Sequence, residues 1–399
     1  MTPSTTETSP NAAGTAAAAS TASETDSTNR RSRQSRQTRD AATAGASRPD
    51  EQRILVISGL GQKNKQHYGP LADVAGDTTL VCLDPTHDID SATYVPVPEV
   101  GPRIVRVVLL FFVALYEGYR NDYDAVASIS LVPYGLYALA LKAVYGYPAH
   151  LGIIGIDLDY HAYQWYGAGP RWAFRQFDAV SVPGSSHAAQ LDRFGVPDER
   201  IDLLTNPIDT ETYRPPEIDV NTDYEFVWVA RFSAEKDPCR FVDALAELDA
   251  SGREFRAVMV GDGPLRSKVT AEVAARGLAD RVELPGWVDD PLQYYHRSDV
   301  FVLTSKRDAL PLVMLEAMAT QLAPIVPPVG SIPDVVTDGE NGIVVRDRDP
   351  ATFASAMERC LDDPGIRRSL AANATSIRSD FSLERASEDW RRILTTLDR

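Results

Sequence analysis

The stretch DVFVLTSKRDALPLVMLEAMATQLAPIVPPVG, Asp299–Gly330, decides the fold. It opens on a short β-branched run, DVFVLTS, which reads as a buried strand. Pro311 then suits the first turn of a helix, where its missing N–H costs nothing. The run LAPIVPPVG reads as the next strand. Strand, loop, helix and strand within one short segment form the repeating unit of a parallel sheet with covering helices. Two carboxylates flank this apolar segment. Asp308 falls in the loop before the helix and Glu316 about one turn inside it. A buried carboxylate is costly unless paired or hydrogen-bonded, so both acids call for partners.

The same alternation runs outward in both directions. RILVISGLGQ, Arg53–Gln62, starts the ordered chain. TTLVCLD, DAVASISLV, AHLGIIGID, DAVSVPGSS and IDLLTNPID follow, with helical patterns such as YGLYALALKAVYG between several of them. NPIDTETYRPPEIDVNTD, Asn206–Asp223, is rich in Pro, Asp and Thr and reads as a linker. Alternation then restarts with YEFVWVARFS, FRAVMVGDGP, RVELPGWV, DVFVLTS, LAPIVPPVG and NGIVV. The 399 residues, at ~150 per domain, thus divide into four parts. Residues 1–50 form a disordered Thr/Ser/Ala/Arg tail. Residues 51–215 and 216–380 form two doubly wound α/β domains, and 381–399 a C-terminal helix. Ligands of such sheets bind at the C-terminal ends of the strands, so two facing domains leave a cleft there.

Residues 1–50 contain no Leu, Ile, Val, Phe, Tyr or Trp, too little apolar surface for ordering. Arg30 and Arg31 are followed by no apolar h-region, which excludes a twin-arginine signal. The five arginines from Arg30 to Arg39 read as a solvated tail, with a weak dock for anionic lipid heads as the alternative. The run Ile104–Tyr116, IVRVVLLFFVALY, is too short to span a bilayer, which needs ~20 residues. A buried helix of the first domain is expected, and a membrane-facing helix is the alternative.

A net charge of −16 excludes nucleic acid as a partner. Arginine outnumbers lysine 34 to 6 and aspartate outnumbers glutamate 37 to 19. Such a composition is seen in salt-loving archaea, and a halophilic protein is expected, with an ordinary acidic protein as the plainer alternative. Cys82, Cys239 and Cys360 are few and widely spaced, which points to no disulfide framework or zinc site and fits a reducing cytoplasm.

The chemistry gathers in the second domain. A strand–loop–helix unit aims free N–H groups and a positive dipole end at the cleft, a site for phosphate. Asp308 and Glu316 beside it can accept hydrogen bonds from paired hydroxyls of a sugar and a ribose. Arg231 and Lys236 stand on the loop after the first strand of this domain, where they can compensate a diphosphate. Their alternative is surface pairing with Glu235 and Asp237. Gly261 and Gly263 at another strand end permit close approach of backbone to a nucleotide; an ordinary tight turn is the plainer reading.

These residues fall in a series of segments: NPIDTETYRP, VARFSAEKD, VGDGPLR, ELPGWVDD, YYHRSDVFVLTS, RDALPLVMLEAMA and GSIPDVVTDGENGIVV. In order and interval the series resembles the family 4 retaining glycosyltransferases of the GT-B fold. The resemblance runs from about Arg53 to the C-terminus and is strongest over 206–346. It implies that Arg231 and Lys236 hold the donor diphosphate. Asp308 and Glu316 match the Glu-x7-Glu motif, the first acid contacting the donor sugar and the second the ribose. Backbone from Ala309 through Leu310 and Leu312 to Val313 would touch sugar and phosphates, and Trp287 and Val288 would cradle the base.

No metal and no cofactor are implied beyond a UDP- or GDP-linked donor. The Asp157–Asp159 pair lies in the wrong domain for a metal-binding Asp-x-Asp. Gly59, Gly61, Gly155 and Asp157 match acceptor-side loops. Two departures stand out: Asp308 is one methylene shorter than the family's Glu, and Ile154 replaces a histidine. His161 is the nearby candidate substitute, its other reading being structural. The C-terminal helix is expected to cross back onto the first domain.

The implied activity is sugar transfer, with retention, to a glycan or lipid-linked hydroxyl. It would take place in the cytoplasm, with peripheral contact at the inner membrane face as a further option. A non-catalytic sugar-nucleotide-binding scaffold is the alternative. Paired acids also suit a glycosidase, but these sit beside a phosphate element. A dinucleotide dehydrogenase needs G-x-G-x-x-G, and GLGQKN lacks the third glycine.

Overall fold

The computed structural model describes residues 48–217 and 222–398. The tail readings, including the lipid-docking arginines, fall outside these residues up to position 47. The described chain contains two parallel sheets. The first has the order β3-β2-β1-β4-β5-β6-β7. Its strands are β1 (Arg53–Ser58), β2 (Asp77–Cys82), β3 (Ala92–Pro96), β4 (Ala125–Ile129), β5 (Ala149–Gly152), β6 (Ala179–Val182) and β7 (Ile201–Leu203). The second has the order β10-β9-β8-β11-β12-β13. It comprises β8 (Tyr224–Val229), β9 (Ala257–Val260), β10 (Val282–Gly286), β11 (Ser298–Val302), β12 (Ala323–Val326) and β13 (Ile343–Val344). Strand order reverses between β1 and β4 and between β8 and β11, where parallel registers such as Ile57 with Ser128 and Val300 with Phe226 join the two halves. Crevices open at such switch points.

The central strands are apolar along their length because both faces are covered. Ile54, Leu55, Val56 and Ile57 are all buried, as are Phe226, Val227 and Trp228. Leu55 and Ile57 face one helical layer and Ile54 and Val56 the other. The edge strand β3 was not legible in the sequence. It is five residues long, half-exposed, and ends in proline.

Five helices bear on the site and its surroundings: α1 (Asn64–Ala72), α2 (Arg103–Arg120), α3 (Leu136–Tyr145), α4 (Ala168–Phe174) and α5 (Leu312–Ala319). A sixth, α6 (Leu383–Leu397), follows the second sheet and packs on the first. Ser382 caps it by accepting from the Arg385 N–H at 3.2 Å. Trp390, fully buried, donates its indole N–H to the His67 carbonyl at 3.2 Å. Asp389 accepts from both the N–H and the hydroxyl of Thr205, at 2.9 and 2.6 Å.

The expectation of a buried helix at Ile104–Tyr116 is corrected by the structure. Within α2 only Leu110, Ala114 and Gly118 are buried. Ile104, Val105, Val108, Phe112, Tyr116 and Tyr119 are exposed. The helix is apolar on both sides, and the sheet covers only one of them.

Candidate functional site

The loop after β8 carries Arg231 and Lys236, and its shape is set from behind. Gly261 has φ +136°, and a Cβ there would lie 2.0 Å from the Ala230 carbonyl oxygen. Gly263, at φ +154°, would likewise meet the Phe232 carbonyl at 2.6 Å. These glycines let the β9 loop pack under the Arg231 loop, a role in positioning that loop. Asp237 closes the loop, with Arg348, Lys306 and Arg240 around its carboxylate at 3.0, 3.3 and 3.7 Å. Ser233 donates to Glu235 at 2.6 Å. Glu235 and Asp237 therefore have partners other than Arg231 and Lys236. Arg231 is exposed and makes no ion pair among the described residues.

Lys236 reaches across to Asp308, with which it forms a short ion pair. Ser305 donates to the same carboxylate oxygen at 3.3 Å. Asp308 thus lies in the loop before α5, as its sequence position suggests. Pro311 caps α5 and does not occupy its first turn, one residue earlier than expected. The amide groups of Leu312 and Val313 open the helix and have no carbonyl one turn back to receive them. Gly330 sits behind this loop at φ +55°, and a Cβ there would stand 1.9 Å from the Asp308 carbonyl oxygen. Ser331 N–H donates to the Ala309 carbonyl at 2.7 Å.

Arg231, Lys236, Asp308, Leu310, Leu312 and Val313 line one cavity of about 250 Å³. Its opposite wall comes from the first domain and the connecting segment: Lys63, His67, Ile154 and Asn206. Gly155, at φ +138°, brings the loop after β5 against Ala309, whose Cβ would lie 3.1 Å from an added one. Sequence reasoning missed Lys63, His67 and Asn206. Two of the six lysines fall in KNKQH directly after the Gly59–Gly61 loop, the one available signal. His67 is buried, and desolvation, aided by Lys63, lowers its pKa to about 4. It is therefore neutral at physiological pH.

Glu316 faces a neighbouring cavity of about 690 Å³ with Lys65, Gln66, Asp209 and Tyr213. Tyr295 donates its hydroxyl to Glu316 at 3.2 Å. Burial raises this carboxyl to about 7, Asp290 adds to the rise, and the Tyr295 hydrogen bond and Lys63 oppose it.

Other residues singled out from the sequence lie apart. Trp287 is 70% exposed, and Val288 packs against the second core; neither lines these cavities. Gly59 lies against Tyr134, whose hydroxyl an added Cβ would overlap, and Gly61 takes φ +56° with open space around it. Asp157 is buried and accepts from the Leu131 N–H at 2.9 Å, a structural use. His161 pairs with the Tyr166 hydroxyl at 2.6 Å and does not line the cavity. Asp159 bonds His187 at 3.0 Å, and His187 bonds Ser331 of the second domain at 3.0 Å. Among the described residues no group of three or more His, Cys, Asp or Glu side chains could hold a metal ion.

Two Rossmann-like parallel sheets, with cations and a helix N-terminus at one strand-end cavity, define a two-domain α/β architecture. Residues 71–212 match the family model for Glycosyltransferase Family 4, and residues 209–377 that for Glycosyl transferases group 1. Together they take in most of the described chain, and the chain belongs to the glycosyltransferases these models describe.

Among relatives, an α-1,4-N-acetyl-D-galactosaminyltransferase of Campylobacter jejuni, which acts on a diNAcBac-PP-undecaprenol-linked saccharide, is 28% identical over 54% of this chain and 60% of its own. An α-D-kanosaminyltransferase of Streptomyces kanamyceticus is 33% identical over 41% of this chain and 43% of its own. The chain thus spans about half the length of the curated relatives it matches. The crystal structure of Anabaena Alr3699/HepE in complex with UDP-glucose superposes with a TM-score of 0.72 at 17% identity, over 86% of this chain and 99% of that one. It shows the same GT-B fold.

Proposed function

We propose that the protein transfers a sugar, with retention, from a nucleotide-sugar donor to a hydroxyl of a glycan or lipid-linked saccharide. The observation that carries this is the convergence of Arg231, Lys236 and the N-terminus of α5 on one cavity, with Asp308 at its rim and Glu316 one turn behind. The cations and the open N–H groups of Leu312 and Val313 suit a diphosphate. Lys236, already paired with Asp308, joins the phosphate subsite to a carboxylate that can accept from sugar hydroxyls. In this reading Glu316, facing the neighbouring cavity, accepts from the ribose hydroxyls. UDP-glucose in Alr3699/HepE, and the undecaprenol-linked substrate of the Campylobacter relative, support the donor and acceptor classes.

In this proposal the acceptor oxygen bonds to the anomeric carbon on the face from which the diphosphate departs. The sugar–phosphate bond breaks, and the acceptor proton passes to the leaving phosphate oxygen. Positive charge from Arg231 and Lys236 stabilises that leaving group. No carboxylate acts as nucleophile. The work is cytoplasmic, with peripheral contact at the inner face of the membrane.

The test is a panel of UDP- and GDP-sugars in ~2 M KCl, read by donor hydrolysis and thermal shift. Bound donor raises the melting temperature. A shift with one donor, lost in Arg231→Ala, is expected. Well-folded protein that answers to no donor would overturn the proposal.

A further inference from the structure

The outer surface of the first domain carries an apolar face that the fold leaves uncovered. Along α2, Ile104, Val108, Phe112 and Tyr116 recur at every fourth residue and form one stripe, all of them exposed, Phe112 at 58%. The inner residues Leu110 and Ala114 pack in the same core layer as Ala138 and Leu141 of α3 and Ala173 and Phe174 of α4. The three helices therefore share one side of the sheet. α3 adds exposed Leu136 and Val144, α4 adds Trp172, and the segment before α4 adds Tyr163 and Trp165, the latter 94% exposed. Single exposed apolar residues are ordinary, but a run of them along one helix, joined by others on helices of the same layer, marks an interaction surface.

Charge says what covers it. Residues 103–177 contain six Lys or Arg and five Asp or Glu, in a chain whose net charge is −16. Of those five acids Asp157 is buried, Glu117 and Asp159 are partly buried, and only Asp122 and Asp124 are exposed. Arg103 and Arg120 stand exposed at the two ends of the apolar stripe. Lys142 and Arg106 are paired with Asp178 and Asp84, just outside this stretch, so the face is close to neutral in an acidic chain, and guanidinium groups cap its apolar stripe. An apolar band with aromatic residues and flanking arginines suits the interface of an anionic bilayer. A second copy paired through this same face would set its own Arg103 and Arg120 against these, whereas anionic headgroups complement them. No described helix is long and apolar enough to cross a membrane, so the mode is lying on the surface.

We infer that the α2–α3–α4 face docks the protein on an anionic lipid bilayer, with the side chains of α2 and Trp165 entering the headgroup layer. This names the surface behind the peripheral contact in the proposed function, and rests on it only for the meaning of the orientation. Ile156, Tyr160, Tyr163 and Trp165 follow β5 on the strand-end side of the sheet, and Ile154 lines the 250 Å³ cavity. Docking by this face therefore holds the rim of the cleft at the headgroups, where the saccharide of a lipid-linked acceptor is presented.

The experiment is flotation of the full chain with vesicles of phosphatidylglycerol and phosphatidylcholine, or of phosphatidylcholine alone. Brominated lipid reports tryptophan entry. Wild type is expected to float with the anionic vesicles and to show quenching that Trp165→Phe reduces. Val108→Asp/Phe112→Asp, at exposed positions, is expected to lower vesicle binding at least tenfold while leaving the donor thermal shift unchanged. The inference is overturned if wild type does not float. It is also overturned if the double variant floats equally well, which would assign binding to the arginines of residues 30–39. Dissociation of a wild-type dimer by the double variant, without vesicle binding, would assign the face to a second copy and sink the bilayer reading. Loss of the donor shift in wild type would instead count against the transferase proposal.

Discussion

Replacing Glu316 by Gln should stabilise the free protein at alkaline pH and leave it unchanged in acid. Burial in the cleft raises the Glu316 carboxyl from its ordinary 4.5 to about 7. In the unfolded chain the group loses its proton at the lower value. Between the two, the unfolded state binds fewer protons, so stability falls as pH rises through this window and stays lower above it. The full displacement corresponds to about 3 kcal/mol. Glu316 is only half-buried, and solvent in the open cavity screens part of this, leaving about 1–3 kcal/mol. Gln keeps the acceptor for the Tyr295 hydroxyl and carries no charge at any pH. For a body of about 350 residues, each kcal/mol moves the melting point by roughly 1.4 °C. Glu316→Gln is therefore expected to melt about 1–4 °C above wild type at pH 8 and level with it at pH 4. Melts across pH 4–8 at constant KCl, without nucleotide, measure this. A difference that does not grow with pH, or a variant less stable at pH 8, would refute the placement of an ionised, poorly solvated carboxylate here. The same variant should bind donor more weakly, since Gln is a poorer acceptor for paired ribose hydroxyls.

Two further outcomes are expected. Asp308→Ala removes the partner of Lys236 and the proposed acceptor for sugar hydroxyls; transfer should fall at least 100-fold while the free nucleoside diphosphate still raises the melting point, and retained transfer would remove Asp308 from the site. Gly330→Ala places a Cβ 1.9 Å from the Asp308 carbonyl at a φ of +55°; it should cost at least about 1 kcal/mol of stability and depress transfer although Gly330 lines neither cavity, and a variant equal to wild type in both would show the loop to be more pliant than its geometry implies.

Much of the architecture was legible because buried parallel strands need apolar residues on both faces, and helices between them need a different period. Runs such as RILVIS and YEFVWV carry that signature without reference to distant residues. The edge strand β3 escaped because a short half-exposed run ending in proline has no such pattern. The site was legible where its parts are local. A strand, a loop with Asp308, and a helix with Glu316 are contiguous, and Arg231 and Lys236 share one loop. Lys63, His67 and Asn206 were not legible, because they reach the cavity through the first domain and the connecting segment, a juxtaposition of distant positions.

By itself, then, the sequence determined two α/β repeats, the acidic composition, and which short loops carry cations and carboxylates, since these follow from local periodicity and residue chemistry. The tertiary structure decided what each of those residues faces. It paired Lys236 with Asp308 rather than with the acids beside it, and assigned Gly261 and Gly330 to backing the site loops. It raised the Glu316 carboxyl by enclosing it, and left the outer stripe of α2 exposed. The reason is common to all four. Burial, ion pairing and close backbone approach depend on which distant segments meet, and an apolar helix reads alike whether protein or lipid covers its outer face.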